Sequence, residues 1–255
     1  MNQILVTKKL YVTPELKKKK KAYKLYFIFS IFLIIILTSV YVYSEYDRNK
    51  SEAVSSDILD QMADAIRKNA KDTTVADDGI LTVILNGNQN DYDELENDKT
   101  TLAELNDRAT VRTNKDGYEY KTVAIVNIPK IDVNYPVIQG STNTLEEMES
   151  LLKISPVKFH GGEPNEVGNF CIVGHNYRNE KFFSKVPTLV NGDTVELTDL
   201  SNRTLTYQVY DMHVVNDTDT HDTTQRTGGK KELTLITCTN DGKQRIVVRC
   251  KEVNA

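Results

Sequence analysis

Apolar positions along this chain fall into three regimes, and each predicts a different kind of element. Residues 25–44 form a run of 20 without a charge, LYFIFSIFLIIILTSVYVYS. A helix rising about 1.5 Å per residue would span roughly 30 Å over that run, the thickness of a bilayer's hydrocarbon core. Residues 51–71 instead carry Ile58, Leu59, Met62, Ala65 and Ile66 at helical spacing, a modest amphipathic helix. An apolar patch at 80–85, a polar and acidic stretch at 86–98 and a helix-like stretch at 101–108 follow. Little in 45–117 could build a core, so these residues read as a mobile stalk without chemistry.

From residue 118 the pattern shortens. Apolar and β-branched runs at 123–126, 131–138, 170–173, 193–197, 204–210, 233–236 and 246–248 are separated by Gly, Pro, Asn and Asp. Short strands at that frequency argue for an antiparallel barrel or sandwich. Helices are predicted at 144–153 and near 182–186. About 138 residues, 118–255, are enough for one self-sufficient core.

Charge is distributed unevenly. Residues 1–24 hold eight lysines against Glu15, a net +7, while the 255-residue chain sums to −4. A basic head followed by an apolar span places the N-terminus in the cytoplasm and the rest outside, by the positive-inside bias. Tyr23 and Tyr26 at one end and Tyr41 and Tyr43 at the other suit the two membrane interfaces. A cleaved signal peptide would have a shorter apolar region and a small-residue cleavage site, which Tyr-Val-Tyr-Ser-Glu does not resemble. The span therefore reads as an anchor, with 1–24 as its cytoplasmic tail. Next to a membrane, the lysine run is a topology signal rather than a nucleic-acid site.

The chain has three cysteines, Cys171, Cys238 and Cys250, an odd number that cannot pair completely within one chain. Cys171 lies within an apolar strand and Cys250 alternates with Val248 and Ile246, so both read as packing residues. Cys238 ends the strand 233–237 and opens the polar turn Thr239-Asn-Asp-Gly242, where a scaffold can hold a nucleophile and still expose it. A thiol with an ordinary pKa of about 8.5 needs a proton partner. His175, just past a strand end, is the favoured one, His160 is next, and His213 and His221 lie in a strand and a polar loop. Arg245 opens the strand that could return beside Cys238; its guanidinium stays charged and presents a fork of donors suited to an oxyanion.

These residues resemble the signature of sortases, the cysteine transpeptidases of Gram-positive surfaces. Thr-Leu-Ile-Thr-Cys238 with Arg245 on the next strand is similar to the family's catalytic pair of strands, and Gly168-Asn-Phe-Cys-Ile-Val-Gly-His175 to its strand ending in Gly-His. Asn191-Gly-Asp-Thr-Val-Glu196 and Ile128-Pro-Lys-Ile-Asp-Val-Asn-Tyr-Pro-Val-Ile138 extend the likeness in order over about 118–248. The resemblance implies a mostly β fold, the eight-stranded sortase barrel with one or two short helices. It implies Cys238 as nucleophile, His175 as general acid and base, and Arg245 as oxyanion or substrate stabiliser, with Leu235, Thr237 and Asn176 as substrate contacts. The expected partners are proteins carrying an LPxTG-like sorting signal, cleaved after Thr, and a peptidoglycan precursor or other amine. The amide bond energy is carried through a thioester, so no cofactor is expected.

Some features of the family are missing or weak. The loop 214–231 lacks a large helix, which resembles class A and class D sortases rather than class B. An Asp-aromatic lid of the pilus-building class C enzymes is not evident in 45–117. Glu163, Glu166, Asp217, Asp219 and Asp222 read as a solvated acidic surface, so no metal is expected. Two other readings stay open: an envelope cysteine protease or amidase, which uses water in place of the amine, and a catalytically inactive binding module.

Overall fold

The structure, a computed structural model, describes residues 14–71, 73–75, 81–83 and 110–253. They divide into two compact units, Met1–Asn49 and Lys50–Ala255. The helix-like stretch expected at 101–108 lies outside the described residues.

Helix α1 (Pro14–Lys71) contains the uncharged run. Phe27, Phe29, Phe32, Ile34, Leu37 and Val40 are all exposed on it, and an apolar surface all round a helix suits lipid rather than water. The helix is long and apolar enough to cross a membrane. Within the second unit its residues 50–63 behave differently from the spacer expected of them. Ser55 and Ile58 are buried, and Ile58 joins a cluster with Tyr120, Ile138, Leu151, Leu152 and Val157. Burying one such aliphatic side chain contributes roughly 1.5–3 kcal/mol. Two short strands follow, β1 (Thr73–Val75) and β2 (Leu81–Val83), paired antiparallel with Thr73 opposite Val83.

The remaining strands build a closed barrel. In chain order they are β3 (Arg112–Thr113), β4 (Glu119–Ile128), β5 (Val133–Gly140), β6 (Val157–His160), β7 (Gly168–Val173), β8 (Thr194–Asp199), β9 (Thr204–Asn216), β10 (Lys231–Cys238) and β11 (Gln244–Glu252). The neighbour order is β3-β4-β5-β6-β7-β10-β11-β9-β8, and β8 pairs again with β4. Eight strands thus close on themselves, with β3 appended to β4. Closure removes the unpaired edges that an open sheet would present. Strand β10 runs parallel to β7 and antiparallel to β11, so the ends of β7 and β10 emerge on the same rim. Inward-facing Val126, Ile128, Ile172, Leu197, Leu233 and Leu235 fill the core.

Helix α2 (Leu145–Leu152) forms where 144–153 predicts one. Thr144 caps it, accepting from Glu147 N–H at 3.3 Å, and the Glu147 carboxylate reaches back to the N–H groups of Ser141, Thr142 and Asn143. This is a variant of the capping box in which the carboxylate serves three N–H groups ahead of the N-cap. A Cβ on Gly140 would sit 2.4 Å from that carboxylate, so a larger residue there would push Glu147 off its donors. The expected helix at 182–186 is absent; a short 3₁₀ turn at Val186–Thr188 stands just after it. The strand Val157–His160 carries no alternation the sequence could show, because only Val157 is buried on it.

Candidate active site

The site is set by strand register. The β7–β10 ladder pairs Val173 with Ile236, and Gly174 N–H continues it by donating to Ile236 O at 3.0 Å. Carried two residues past the end of that ladder, the register would bring His175 toward Cys238 on the neighbouring strand end. On the other side, β10 and β11 pair Cys238 directly with Arg245. Thr239 N–H donates to Gln244 O at 3.0 Å, which makes 239/244 the hydrogen-bonded pair. Cys238 and Arg245 are then the closely spaced kind of pair, with Cα atoms about 4.5 Å apart and side chains on one face. Three residues remote in sequence therefore occupy three adjacent strand ends.

Further bonds fix this arrangement. The Asn176 amide donates to Cys238 O at 2.9 Å and to Asn240 Oδ1 at 3.1 Å. Thr237 Oγ1 donates to Gly174 O at 2.8 Å, and Phe183 N–H to His175 O at 3.0 Å. A Cβ on Gly174 would meet the Phe183 ring at 2.5 Å, so this glycine lets the aromatic pack under the histidine's backbone. The His175 ring tilts against Tyr177 with centroids 4.9 Å apart. Tyr177 meets Phe182 edge-on at 5.4 Å, and Phe182 stacks on Tyr135 at 5.0 Å.

Burial sorts the cysteines. All three are free. Burial pushes the Cys171 thiol up to about 12, and it also pushes Cys250 up, so neither is a thiolate near neutrality. Cys238 is only half-buried at the rim. The histidines sort in the same way. Burial lowers the pKa of His175; Glu149 opposes this and Lys153 adds to it, each less strongly. His160 is exposed and pairs in register with Cys171. His213 is held between Asp211 at 3.0 Å and Asp222 at 2.9 Å. Burial would lower its pKa, but those carboxylates outweigh it and raise it. His221 is exposed in the β9–β10 loop.

The Arg245 guanidinium donates through Nη1 to Gln244 O at 3.2 Å and Gly242 O at 3.5 Å, which leaves other N–H groups of the fork for a ligand. The three expected substrate contacts separate. Leu235 is wholly buried in the barrel core and Thr237 is 1 % exposed, so both side chains serve packing and the bond to Gly174. Alternation put Leu235 and Thr237 on the same face of β10, and that face points inward. Asn176 is at the rim, tied to the backbone of Cys238. Two of the acidic residues considered for a metal are engaged elsewhere: Glu166 with Arg203 at 2.7 Å, and Asp222 with His213 and Arg249. Among the described residues, no group of three or more His, Cys, Asp and Glu is placed to hold a metal ion.

A family model described as the sortase domain matches residues 126–253. This chain belongs to the sortase family. Solved sortases are similar to it. The sortase D5 transpeptidase of Clostridium perfringens is 31% identical at TM-score 0.45, over 52% of this chain and 80% of that one. Sortase C-1 from Actinomyces oris is 25% identical at TM-score 0.45, over 52% and 73%. Sortase A of Listeria monocytogenes is 21% identical at TM-score 0.45, over 52% and 88%. No curated protein matches the chain. Among sortases, cysteine transpeptidases are the general rule, which fits a barrel whose half-buried Cys238 is paired in register with an arginine.

Proposed function

We propose that this sortase is a membrane-anchored transpeptidase in which Cys238 is the nucleophile, His175 the general acid and base, and Arg245 the oxyanion stabiliser. The observation that carries the proposal is the register pairing Cys238 with Arg245, supported by the Asn176 amide, next to His175, bonding to Cys238 O. The Cys238 thiolate attacks the carbonyl carbon after the threonine of an LPxTG-like signal, and the carbonyl electron pair moves onto oxygen. Arg245 N–H donors bear that charge. Collapse breaks the C–N bond; the imidazolium of His175 protonates the departing amine, and a thioacyl-enzyme remains. An amine of a peptidoglycan precursor then attacks the thioester carbonyl while neutral His175 takes its proton, and the thiolate leaves.

The apolar part of α1 supports single-pass anchoring, and the lysines before it support a cytoplasmic N-terminus with the barrel outside. The β9–β10 loop holds only a three-residue 3₁₀ turn, His221–Thr223, which supports a class A or class D type over class B. An LPxTG peptide labelled at its N-terminus, incubated with the full chain with and without triglycine, tests the activity. The expected result is a labelled product that forms in proportion to triglycine. Hydrolysis alone, unaffected by the amine, would instead identify a protease.

A further inference from the structure

The part of α1 that lies against the barrel reaches the loop carrying His175. Glu52 pairs with Lys181, Ser55 hydrogen-bonds Ser155 at 3.1 Å, Ile58 enters the cluster around Leu151, and Gln61 accepts from Arg112 at 2.7 Å. Residues 52, 55, 58 and 61 follow at three-residue spacing over about two and a half turns, each about 60° round the helix from the last, so the line of contact winds round α1 as it crosses the barrel. Ser155 in turn donates to Pro136 O at 2.5 Å, next to Tyr135.

Lys181 is not an isolated surface residue. It sits in the loop between His175 and Phe183, whose two arms are joined by the bridge between Asn176 and Phe182. Asn179 Oδ1 accepts from Lys181 N–H at 2.9 Å, and Ser184 Oγ accepts from Tyr177 N–H at 3.0 Å. Phe182 N–H donates to Tyr135 Oη at 3.2 Å, and the Tyr135–Phe182–Tyr177 ring contacts end on the His175 imidazole. Glu52 also acts on Tyr135, whose hydroxyl pKa is raised first by burial and further by that carboxylate. The helix, the loop and the imidazole thus form one connected set of contacts.

We propose that Glu52, through Lys181, is a positioning residue for His175: the docked segment of α1 holds the 176–182 loop closed so that Tyr177 fixes the imidazole beside Cys238. The proposal rests on the acid–base role given to His175 above. A partly exposed ion pair contributes little to stability by itself. Its effect here is geometric, because small displacements of an acid–base group lower the rate strongly. The charged and titratable groups around His175 are Glu149 and Lys153 from α2 and its end, Tyr177 from the loop, Cys238 from β10 and Arg245 from β11. Neither Glu52 nor Lys181 is among the groups shifting it directly, so a change at Glu52 reaches the ring through the loop.

The test uses the full chain in detergent micelles, with Glu52→Gln, Lys181→Gln and the exchanged pair Glu52→Lys with Lys181→Glu. Three quantities are read: the His175 titration midpoint by NMR, the pH dependence of Cys238 alkylation by iodoacetamide, and kcat and KM for an LPxTG peptide. In each single variant the loop opens and water reaches the ring. The midpoint then rises toward the ordinary value of about 6.5, and kcat falls by about three- to tenfold with KM nearly unchanged. The exchanged pair recovers both. If the single variants lower only the melting temperature while the midpoint and kcat stay put, Glu52 is a brace and the proposal is overturned. Failure of the exchanged pair to recover the midpoint overturns it as well. Should the wild-type chain turn over no peptide while the midpoint moves and recovers as expected, positioning stands and the transpeptidase reading falls.

Discussion

The side-chain amide of Asn176 donates to the main-chain carbonyl of Cys238 at 2.9 Å, joining the residue after the histidine to the nucleophile itself. The same amide reaches Asn240 Oδ1 in the β10–β11 turn. One side chain thus ties the ends of β7 and β10 to the hairpin that carries Arg245.

Removing that tie leaves the barrel core untouched. Asn176→Ala is expected to lower kcat/KM by about tenfold, the size of effect that a small misplacement of reacting groups produces. The melting temperature should change little, because Asn176 is at the rim. Steady-state kinetics alongside calorimetry separate the two effects. Equal losses in activity and melting temperature would mean the residue only stabilises.

Burial depresses the His175 pKa, and this sets the acid side of the pH profile. The competent form needs a thiolate and an imidazolium together. kcat/KM is therefore expected to be bell-shaped, with its acid limb below about 6.5. The apparent values belong to the coupled pair. The linkage sign is definite: the unfolded chain binds a proton on this histidine at a pH where the folded chain does not. His175 therefore costs no stability above the unfolded value, and stability falls as pH drops toward the folded one. A rate that is flat from pH 5 to 10 contradicts these roles.

Arg245→Lys keeps the charge and removes the planar fork. If Arg245 N–H groups bear the oxyanion, kcat should fall by about 10²–10³-fold with little change in KM. Stopped-flow acylation with a labelled peptide measures the step directly. Near wild-type acylation in the lysine variant would move the oxyanion role to backbone N–H groups alone.

Much of this was legible in the chain and part was not. The apolar runs at 123–126, 170–173 and 233–236 lie within β4, β7 and β10, because buried strands need β-branched and aliphatic side chains on their inner face. The positions of Cys238, His175 and Arg245 at strand ends were legible because strand ends and a tight hairpin turn are written in local sequence. That the side chains of Leu235 and Thr237 are buried was not legible, because alternation gives the face of a strand and not which face is inward. The docking of α1 was invisible for a different reason. Its buried contact begins with Ser55, whose partner Ser155 is 100 positions away, and a polar pair of small residues adds nothing to a hydrophobic pattern. Nothing local links Glu52 with Lys181.

The Glu147 carboxylate at the start of α2 makes a stability prediction independent of catalysis. Burial opposes ionisation of Glu147, but the N–H groups of Thr142, Ser141 and Asn143 outweigh it and hold the carboxyl below the usual range. Its folded pKa is depressed, so its contribution is present above the unfolded value and lost as pH falls through the folded one. Glu147→Ala is expected to cost about 3 kcal/mol by stranding several backbone donors. The exposed neighbour change Glu146→Ala should cost less than about 0.5 kcal/mol. Urea unfolding of both variants gives the comparison, and similar values for the two would contradict the buried-carboxylate account.

The central claim is that the sulfur of Cys238 carries the acyl group. Intact-mass spectrometry of the full chain, quenched in acid seconds after mixing with an LPxTG peptide, measures this directly. The expected spectrum shows an adduct equal to the peptide cleaved after threonine, mapped to Cys238, absent in Cys238→Ala and discharged by hydroxylamine. Peptide cleavage proceeding in Cys238→Ala, or an adduct mapped to another residue, would contradict the account.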